Sequence, residues 1–279
     1  MIVDLHTHTF PDKIAAAAID KLKHAGRIMP FTDGTVQGLK DSMRAAGIDY
    51  SLVLPVATNP VKVRSMNDVS LQLTGRDGLI YFGCMHPDCA YWHEELGRIA
   101  AAGLKGIKIH PVYQGVNIDD ERFVRILTRA GEVGLKVVMH AGDDIGFPGE
   151  VRCSPEMIVR ALKKAGPVDL ILAHMGGWRN WAAVEKLLPQ ENVRIDTAFA
   201  LGEITPLNEN DYSKSERQLL RAEEFCRLVR AFGSKRVLFG TDSPWADQKK
   251  SVEDIRGLPL TETEKENIFG KNAQRLLQI

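Results

Sequence analysis

Short apolar runs of strand length alternate along the chain with segments whose apolar residues recur every three or four positions, as on one helix face. The apolar runs predict eight strands, at residues 1–8, 50–56, 79–86, 106–110, 135–140, 168–174, 193–197 and 236–242. The helical periodicity, with glycine and N-cap signals at several ends, predicts helices at residues 11–26, 36–46, 63–74, 91–102, 119–133, 154–166, 178–188, 215–232 and 261–277. A long loop is predicted at residues 201–213.

This alternation favours an α/β fold. Eight strand–helix units in a chain of 279 residues close naturally into a (β/α)8 TIM barrel with a parallel sheet. The alternative is an open doubly wound sheet, which usually carries a glycine-rich phosphate-binding turn after an early strand. No such glycine pattern follows any of the predicted strands. We therefore expect a single TIM-barrel domain over residues 1–279.

Polar side chains stand at the ends of the predicted strands, where barrel enzymes carry their active sites. The set contains six of the eight histidines, one lysine and one aspartate: His6, His8, His86, Lys108, His110, His140, His174 and Asp242. Side chains alternate along a strand, so His6 and His8 point to the same side and their imidazoles can bind one metal ion. An isolated His-x-His is more often a pair of satisfied polar residues at a strand end. Because histidines and an aspartate recur at the ends of later predicted strands, the sequence favours a metal site.

Composition and charge narrow the classes of partner. Lys plus Arg and Asp plus Glu number 36 each, so no net charge favours nucleic acid or an anionic membrane. No apolar run has the length of a membrane span, and the first residues lack the pattern of a secretory signal. The four cysteines suit a reducing compartment. We expect a cytoplasmic protein that acts on a small molecule, without nucleic acid or membrane partners.

The opening pattern Asp4-x-His6-x-His8-x-x-Pro11 resembles the first motif of the amidohydrolase superfamily. More specifically, it is similar to the amidohydrolase 2 group, which contains aminocarboxymuconate-semialdehyde decarboxylase and related metal-dependent hydrolases. Further segments resemble the same group in the same order, at residues 106–111, 138–142, 172–177, 239–245 and 267–276. The resemblance covers nearly the whole chain. It implies a metal-dependent barrel enzyme, and since such proteins are often dimers, a homodimer is a further expectation.

The resemblance also implies roles for individual residues. His6, His8, His140 and Asp242 would hold one divalent ion, with Zn²⁺ expected first and Mn²⁺ or another transition metal as alternatives. His174 would handle protons, and Asp242 would both bind the ion and accept a proton. This division agrees with elementary chemistry, because Zn²⁺ lowers the pKa of a bound water to about 7 and an ordinary imidazole has a pKa of about 6.5. The alternative for His174 is a fifth ligand or a support for one.

Four residues are candidate substrate contacts: Lys108, His110, Arg152 and Trp178. Lys108 and His110 lie on one side of their strand, so either side chain can reach the centre of a barrel. Some superfamily members carry a carboxylated lysine at this strand that bridges two metals, and a salt bridge is a further alternative for Lys108. A guanidinium at Arg152 would suit an acidic substrate. The alternatives to substrate contact are that Arg152 is an exposed arginine and that Trp178 packs under a loop.

Two reactions are compatible with this ligand set. In the first, a metal-activated water attacks an amide, ester or lactone of a small carboxylated substrate, and the chain is a hydrolase. In the second, the chain is a metal-dependent non-oxidative decarboxylase of the aminocarboxymuconate-semialdehyde decarboxylase type. A non-catalytic barrel is disfavoured because many buried imidazoles without a metal are costly to desolvate. The sequence favours the hydrolase, with the decarboxylase as the alternative.

Overall fold

The computed structural model describes residues 1–279. Its strands are β1 (Val3–Thr7), β2 (Tyr50–Val53), β3 (Leu79–Tyr81), β4 (Gly83–Cys84), β5 (Gly106–Ile109), β6 (Lys136–Met139), β7 (Leu170–Leu172), β8 (Val193–Asp196) and β9 (Val237–Leu238). Its α-helices are α1 (Asp12–Gly26), α2 (Val36–Ala46), α3 (Val63–Leu73), α4 (Trp92–Ala101), α5 (Pro111–Gln114), α6 (Glu121–Glu132), α7 (Pro155–Ala165), α8 (Trp181–Leu187), α9 (Lys214–Arg217), α10 (Ala222–Phe232), α11 (Gln248–Gly257), α12 (Glu262–Glu266) and α13 (Asn272–Leu277). None of these helices is long and apolar enough to cross a membrane.

The chain divides into two compact units. The first unit contains Met1–Ser51, Ile145–Pro148 and Asp196–Ile279, and the second contains Leu52–Asp144 and Gly149–Ile195. The expectation of one domain over residues 1–279 stays a prediction.

The second unit is built on parallel strands in chain order. Strand β4 pairs with β5, β5 with β6, β6 with β7 and β7 with β8, all in parallel. Ile109 lies opposite Met139 in the register, so the residues that follow these two strands emerge side by side. The strands are almost entirely buried, as expected for a parallel sheet with helices on its faces. The carboxyl ends of the strands therefore present His110 and His140 at one edge.

In the first unit, β1 lies beside the chain that leads out of β9. The Leu5 amide donates to the Phe239 carbonyl at 2.8 Å, and the Asp242 amide donates to the His6 carbonyl at 2.8 Å. The buried Asp4 carboxylate accepts from the Thr241 amide at 3.0 Å and from Gln248 Nε2 at 2.7 Å. Burial raises the pKa of Asp4 to about 7, although these hydrogen bonds lower it. Asp4 thus ties the first strand to the segment that carries Asp242.

Most of the predicted elements form, and several differ in length. The predicted strand 79–86 divides into β3 and β4, the strand 168–174 shortens to β7, and the helix 178–188 begins only at Trp181. The predicted helix 215–232 is two helices, α9 and α10. The reason is that the residues between them pair with the preceding loop, at the bridges Leu201–Leu220 and Glu203–Gln218, which withdraws their backbone from the helix.

The last predicted helix, 261–277, contains a wider π-helical turn at Asn267–Lys271 between α12 and α13. Two helices were not predicted from the sequence. Helix α5 follows His110 directly, with Pro111 at its first position, and α11 is capped by the Asp247 carboxylate, which accepts from Lys249 N.

Candidate metal centre and active site

The first unit brings together three of the predicted metal ligands. His6 Nε2 lies 3.3 Å from Asp242 Oδ1, and His8 Nε2 lies 3.2 Å from the same oxygen. His6 and His8 are on the same side of β1 because side chains alternate along a strand, and their rings meet edge to face at 5.1 Å. Hydrogen bonding between β1 and the chain after β9 places Asp242 opposite them. His6 and Asp242 are buried and His8 is half-buried.

A buried carboxylate orients His6. His6 Nδ1 lies 2.8 Å from Asp196 Oδ2, and both side chains are almost completely inaccessible. A carboxylate only accepts, so Nδ1 carries the proton and the lone pair of His6 lies on Nε2, the atom that faces Asp242. The Ala198 amide donates to Asp196 Oδ1 at 3.1 Å and holds the carboxylate in place. Asp196 was not predicted as a site residue. It lies at the end of β8, and a position at a strand end is the same signal that identified the other site residues in the sequence.

These three side chains fit a divalent transition metal. Donors about 2.0–2.1 Å from a tetrahedral ion are themselves about 3.3 Å apart, which matches the spacing from Asp242 Oδ1 to the two imidazoles. Two imidazoles and a carboxylate suit Zn²⁺ and Mn²⁺ among other ions.

The backbone around this cluster is constrained. Asp242 has φ of 71°, in the left-handed region that few residues with a side chain adopt. A Cβ on Gly240 would lie 2.9 Å from the Cβ of His6, so only glycine leaves room for that imidazole. Unusual backbone angles concentrate at functional sites because the surrounding contacts must hold them.

The second unit contains another cluster of two imidazoles and a carboxylate, formed by His110, His140 and Asp144. The neighbouring strands β5 and β6 place His110 and His140 beside each other, and their rings stack with centroids 4.1 Å apart and an angle of 11° between planes. Asp144 Oδ2 lies 3.5 Å from His110 Nε2 and 3.8 Å from His140 Nε2. All three side chains are buried.

His140 also contacts His174, the predicted proton-handling residue. His140 Nδ1 lies 3.1 Å from His174 Nε2, and His140 Nε2 lies 3.1 Å from the Asp143 carbonyl oxygen. Because one of the two facing nitrogens must donate, the proton on one ring determines the tautomer of the other. His174 has φ of 59°, and its carbonyl accepts from Trp181 Nε1 at 3.0 Å. Both candidate catalytic residues therefore have left-handed backbone angles.

A close approach of two loops positions Asp143 and Asp144. The Trp178 amide donates to the Ala141 carbonyl at 2.8 Å, and the Asp143 amide donates to the Trp178 carbonyl at 3.0 Å. Gly142 has φ of 86°, and a Cβ there would lie 2.3 Å from Trp178 N. Glycine is therefore required at this position for both conformation and space.

The predicted substrate contacts have different environments. Lys108 is 1% exposed on β5, and His110 at the end of that strand is also buried. Arg152 Nη2 already pairs with Glu150 Oε2 at 2.9 Å. Trp178 is buried, with the Arg179 guanidinium 4.8 Å from the centre of its ring. The second unit thus contains all four predicted contacts, together with His140 and His174.

A sequence profile of the amidohydrolase family matches residues 3–279. The chain belongs to the amidohydrolase 2 family. Among curated proteins, 2-amino-3-carboxymuconate-6-semialdehyde decarboxylase of Dictyostelium discoideum is 29% identical to this amidohydrolase over 210 residues. The match covers 66% of this chain and 56% of the Dictyostelium protein, so the chain spans little more than half the length of that relative.

Solved structures share the fold of this amidohydrolase. One is 5-carboxyvanillate decarboxylase of Novosphingobium aromaticivorans in complex with manganese and 4-hydroxy-3-methoxy-5-nitrobenzoic acid. Its TM-score is 0.71 at 15% identity, and the match covers 100% of this chain and 96% of that one. Another is described as a candidate 2-pyrone-4,6-dicarboxylic acid hydrolase of Pseudomonas putida, with a TM-score of 0.66, 17% identity and coverage of 99% and 97%.

These comparisons confirm the predicted fold class, α/β with a (β/α)8 TIM barrel, and the predicted family. The family match also supports the prediction that the chain is an enzyme. The preference for hydrolysis over decarboxylation receives less support than its alternative.

Proposed function

We propose that this amidohydrolase is a metal-dependent, non-oxidative decarboxylase that removes CO₂ from a small carboxylated substrate. The Dictyostelium relative and the manganese-containing structure are both decarboxylases by name, which supports this reaction over hydrolysis. The observation that carries the metal dependence is the convergence of His6, His8 and Asp242 at 3.2–3.3 Å, with the tautomer of His6 fixed by a buried carboxylate.

We assign the metal to these three residues, with Zn²⁺ or Mn²⁺ as the ion. When bound, a divalent ion supplies positive charge that neutralises substrate oxygens and polarises the bond to be broken. A fourth ligand at His140, implied by the family resemblance, stays a prediction. Asp196 keeps His6 in the tautomer that can bind an ion, because its carboxylate accepts the Nδ1 proton.

Decarboxylation breaks the carbon–carbon bond to the carboxylate and leaves the electron pair on the substrate carbon. A proton must then reach that carbon, and CO₂ departs. We assign this proton transfer to His174, whose Nε2 shares a hydrogen bond with His140 Nδ1. The shared bond sets which nitrogen of His174 carries a proton. A positioned general acid of this kind contributes about 10²- to 10⁴-fold to the rate.

The acidic substrate requires positive or hydrogen-bonding groups. Lys108 and His110 are buried at a strand end and are proposed as contacts to its carboxylate or phenolic oxygens. Arg152 is a weaker candidate because Glu150 already pairs with its guanidinium, so a substrate carboxylate must compete. Trp178 is proposed as an apolar wall.

Hydrolysis of a lactone, ester or amide remains the second candidate. The Pseudomonas structure supports it, since that protein is described as a candidate hydrolase of a carboxylated lactone. The same His6, His8 and Asp242 ligands suit activation of a water, with Asp242 as the proton acceptor. The two reactions therefore differ in their product.

The experiment measures products from a matched panel. Protein purified without chelators is incubated with 5-carboxyvanillate, 2,6-dihydroxybenzoate and 2-amino-3-carboxymuconate semialdehyde, and with lactones and esters of similar size. Release of CO₂ without hydrolysis, lost in Asp242→Asn and retained in Asp254→Asn, supports the proposal. Asp254 is the control because it pairs with Lys250 on α11 of the same unit. Lactone opening without CO₂ would establish the hydrolase instead.

A homodimer also remains a proposal. Light scattering on the eluting protein tests it directly, since a dimer has about twice the mass of the 31.0 kDa chain.

A further inference from the structure

We propose that Asp4, Thr241 and Gln248 are positioning residues that hold Asp242 in the orientation required to bind the metal. They act through the backbone of the segment that carries Asp242. The inference rests on the metal site proposed for the first unit, and it is the same whether the reaction is decarboxylation or hydrolysis.

Asp4 is a fully buried carboxylate whose two oxygens hold different parts of the site. Its Oδ1 accepts from the His6 amide at 3.2 Å and from the Thr241 amide at 3.0 Å. Its Oδ2 accepts from Thr241 Oγ1 at 2.5 Å and from Gln248 Nε2 at 2.7 Å. One carboxylate therefore fixes β1, which carries a histidine ligand, against the segment that carries Asp242.

Thr241 transmits this constraint to Asp242, its neighbour in the chain. Its hydroxyl donates to Asp4 and accepts from the Ser243 amide at 3.1 Å, so it holds the backbone on both sides of Asp242. The φ of 71° at Asp242 is an angle that residues with a side chain adopt when surrounding contacts enforce it. Without the Thr241 hydroxyl, we expect Asp242 to leave this conformation more readily, and its carboxylate then no longer faces the two imidazoles.

Gln248 contributes to the same network at a cost. Its side chain is completely buried at the first position of α11, and its Nε2 faces Asp4 because a carboxylate only accepts hydrogen bonds. The amide oxygen Oε1 then has no hydrogen-bond partner. A buried acceptor without a partner is unfavourable, and the hydrogen bond to Asp4 must offset it. The geometry therefore gives the Gln248 amide one task, which is to hold the Asp4 carboxylate.

The test is the affinity for metal with and without the Thr241 hydroxyl. Chelator-treated protein is titrated with Zn²⁺ and with Co²⁺ by calorimetry, at a pH of about 8, above the pKa of about 7 that burial gives Asp4. The equivalent that is followed is the one that Asp242→Asn removes. Thr241→Val preserves the shape of the side chain, and we expect it to weaken binding about 10- to 100-fold. Thr241→Ser retains the hydroxyl and should restore most of the affinity.

A merely structural role would give a different pattern. Loss of a structural hydroxyl destabilises the chelated and the metal-saturated protein alike and leaves the affinity unchanged. A positioning role instead lowers the stabilisation that a fixed metal concentration provides, because that stabilisation depends on the dissociation constant. Thermal unfolding is therefore measured with and without metal. Thr128→Val is the matched control, because the Thr128 hydroxyl donates to the Val124 and Ala165 carbonyls in the second unit, so its loss should affect stability alone.

Gln248→Met tests the network from α11 and decides the matter if Thr241→Val does not fold. It removes one donor to Asp4 together with the oxygen that has no partner. We expect the affinity to fall about tenfold, less than in Thr241→Val, because Asp4 keeps three of its four donors.

Native affinity in both variants would overturn the proposal, and so would an equal loss in Thr241→Val and Thr241→Ser. If the native chain binds no ion that Asp242→Asn removes, the metal assignment fails and the positioning role fails with it. Metal affinities in the expected order without any release of CO₂ would refute the decarboxylation alone and leave the positioning role intact.

Discussion

The two His–His–Asp clusters contain the same ligand types, but their outer contacts differ. In the first unit, the buried Asp196 carboxylate takes the Nδ1 proton of His6 at 2.8 Å, so Nε2 presents its lone pair. In the second, His110 Nδ1 accepts from the Tyr113 amide at 3.4 Å, so Nε2 carries the proton. The difference shows that the group hydrogen-bonded to Nδ1 of a histidine determines whether Nε2 has a lone pair that can bind a cation.

The largest expected effect is at Asp242, which both imidazoles of the first cluster face. Asp242→Asn should remove the metal of that cluster and lower the rate by about 10³-fold or more, because the metal contributes several kcal/mol to catalysis. Metal content and CO₂ release are measured together, with Asp254→Asn as the control. If Asp242→Asn kept both its metal content and its rate of CO₂ release, the first cluster would not be the metal site.

His174→Gln should lower the rate by about 10²- to 10⁴-fold while metal content is unchanged, because His174 is assigned to proton transfer. Since His174 Nε2 contacts His140 Nδ1, this variant also probes the second cluster. His93→Gln on α4 is the control. Loss of metal from His174→Gln would make His174 a ligand and would contradict its assignment to proton transfer.

Asp196→Asn tests the difference between the clusters most directly. An amide can donate to Nδ1 and so allow the wrong tautomer of His6, and we expect metal affinity at the first cluster to fall about 10- to 100-fold. Competition with a coloured chelator measures this affinity, and Asp211→Asn in the loop of the same unit is the control. Unchanged affinity in Asp196→Asn would contradict the orienting role.

The smallest expected effect is at Tyr113. Tyr113→Pro removes the backbone N–H that binds His110 Nδ1, and we expect His110 to lose its preference for the tautomer with the proton on Nε2. Tyr113→Ala removes the same aromatic ring, which contacts His110 at 4.3 Å, but retains the N–H. Nitrogen-15 NMR of the imidazole rings compares the tautomer of His110 in the two variants. If both variants change the tautomer equally, the ring and not the amide controls His110.

Strand ends were the informative feature of the sequence. Period-two alternation predicts that His6 and His8 share a side, and the alternation of strands and helices predicts the barrel, because both depend on local geometry. The family motifs added the expected roles of His140 and His174. Helix α5 was missed because four residues are too short for a periodic pattern.

The partners of these residues could not be predicted from the sequence. Asp196 and His6 are 190 positions apart, and no local pattern reports that their side chains meet. The preference for decarboxylation likewise came from comparison with relatives, since the same ligands suit both reactions.

The sequence by itself determined the order of strands and helices, the family, and the presence of metal-binding side chains at strand ends. Only the tertiary structure decided which imidazole has a carboxylate behind it, which faces a backbone amide, and that Asp144 joins His110 and His140. It also decided that His174 and Asp242 have left-handed φ angles. The physical reason is that periodicity depends on neighbours along the chain, whereas tautomers and ligand geometry depend on contacts between distant segments.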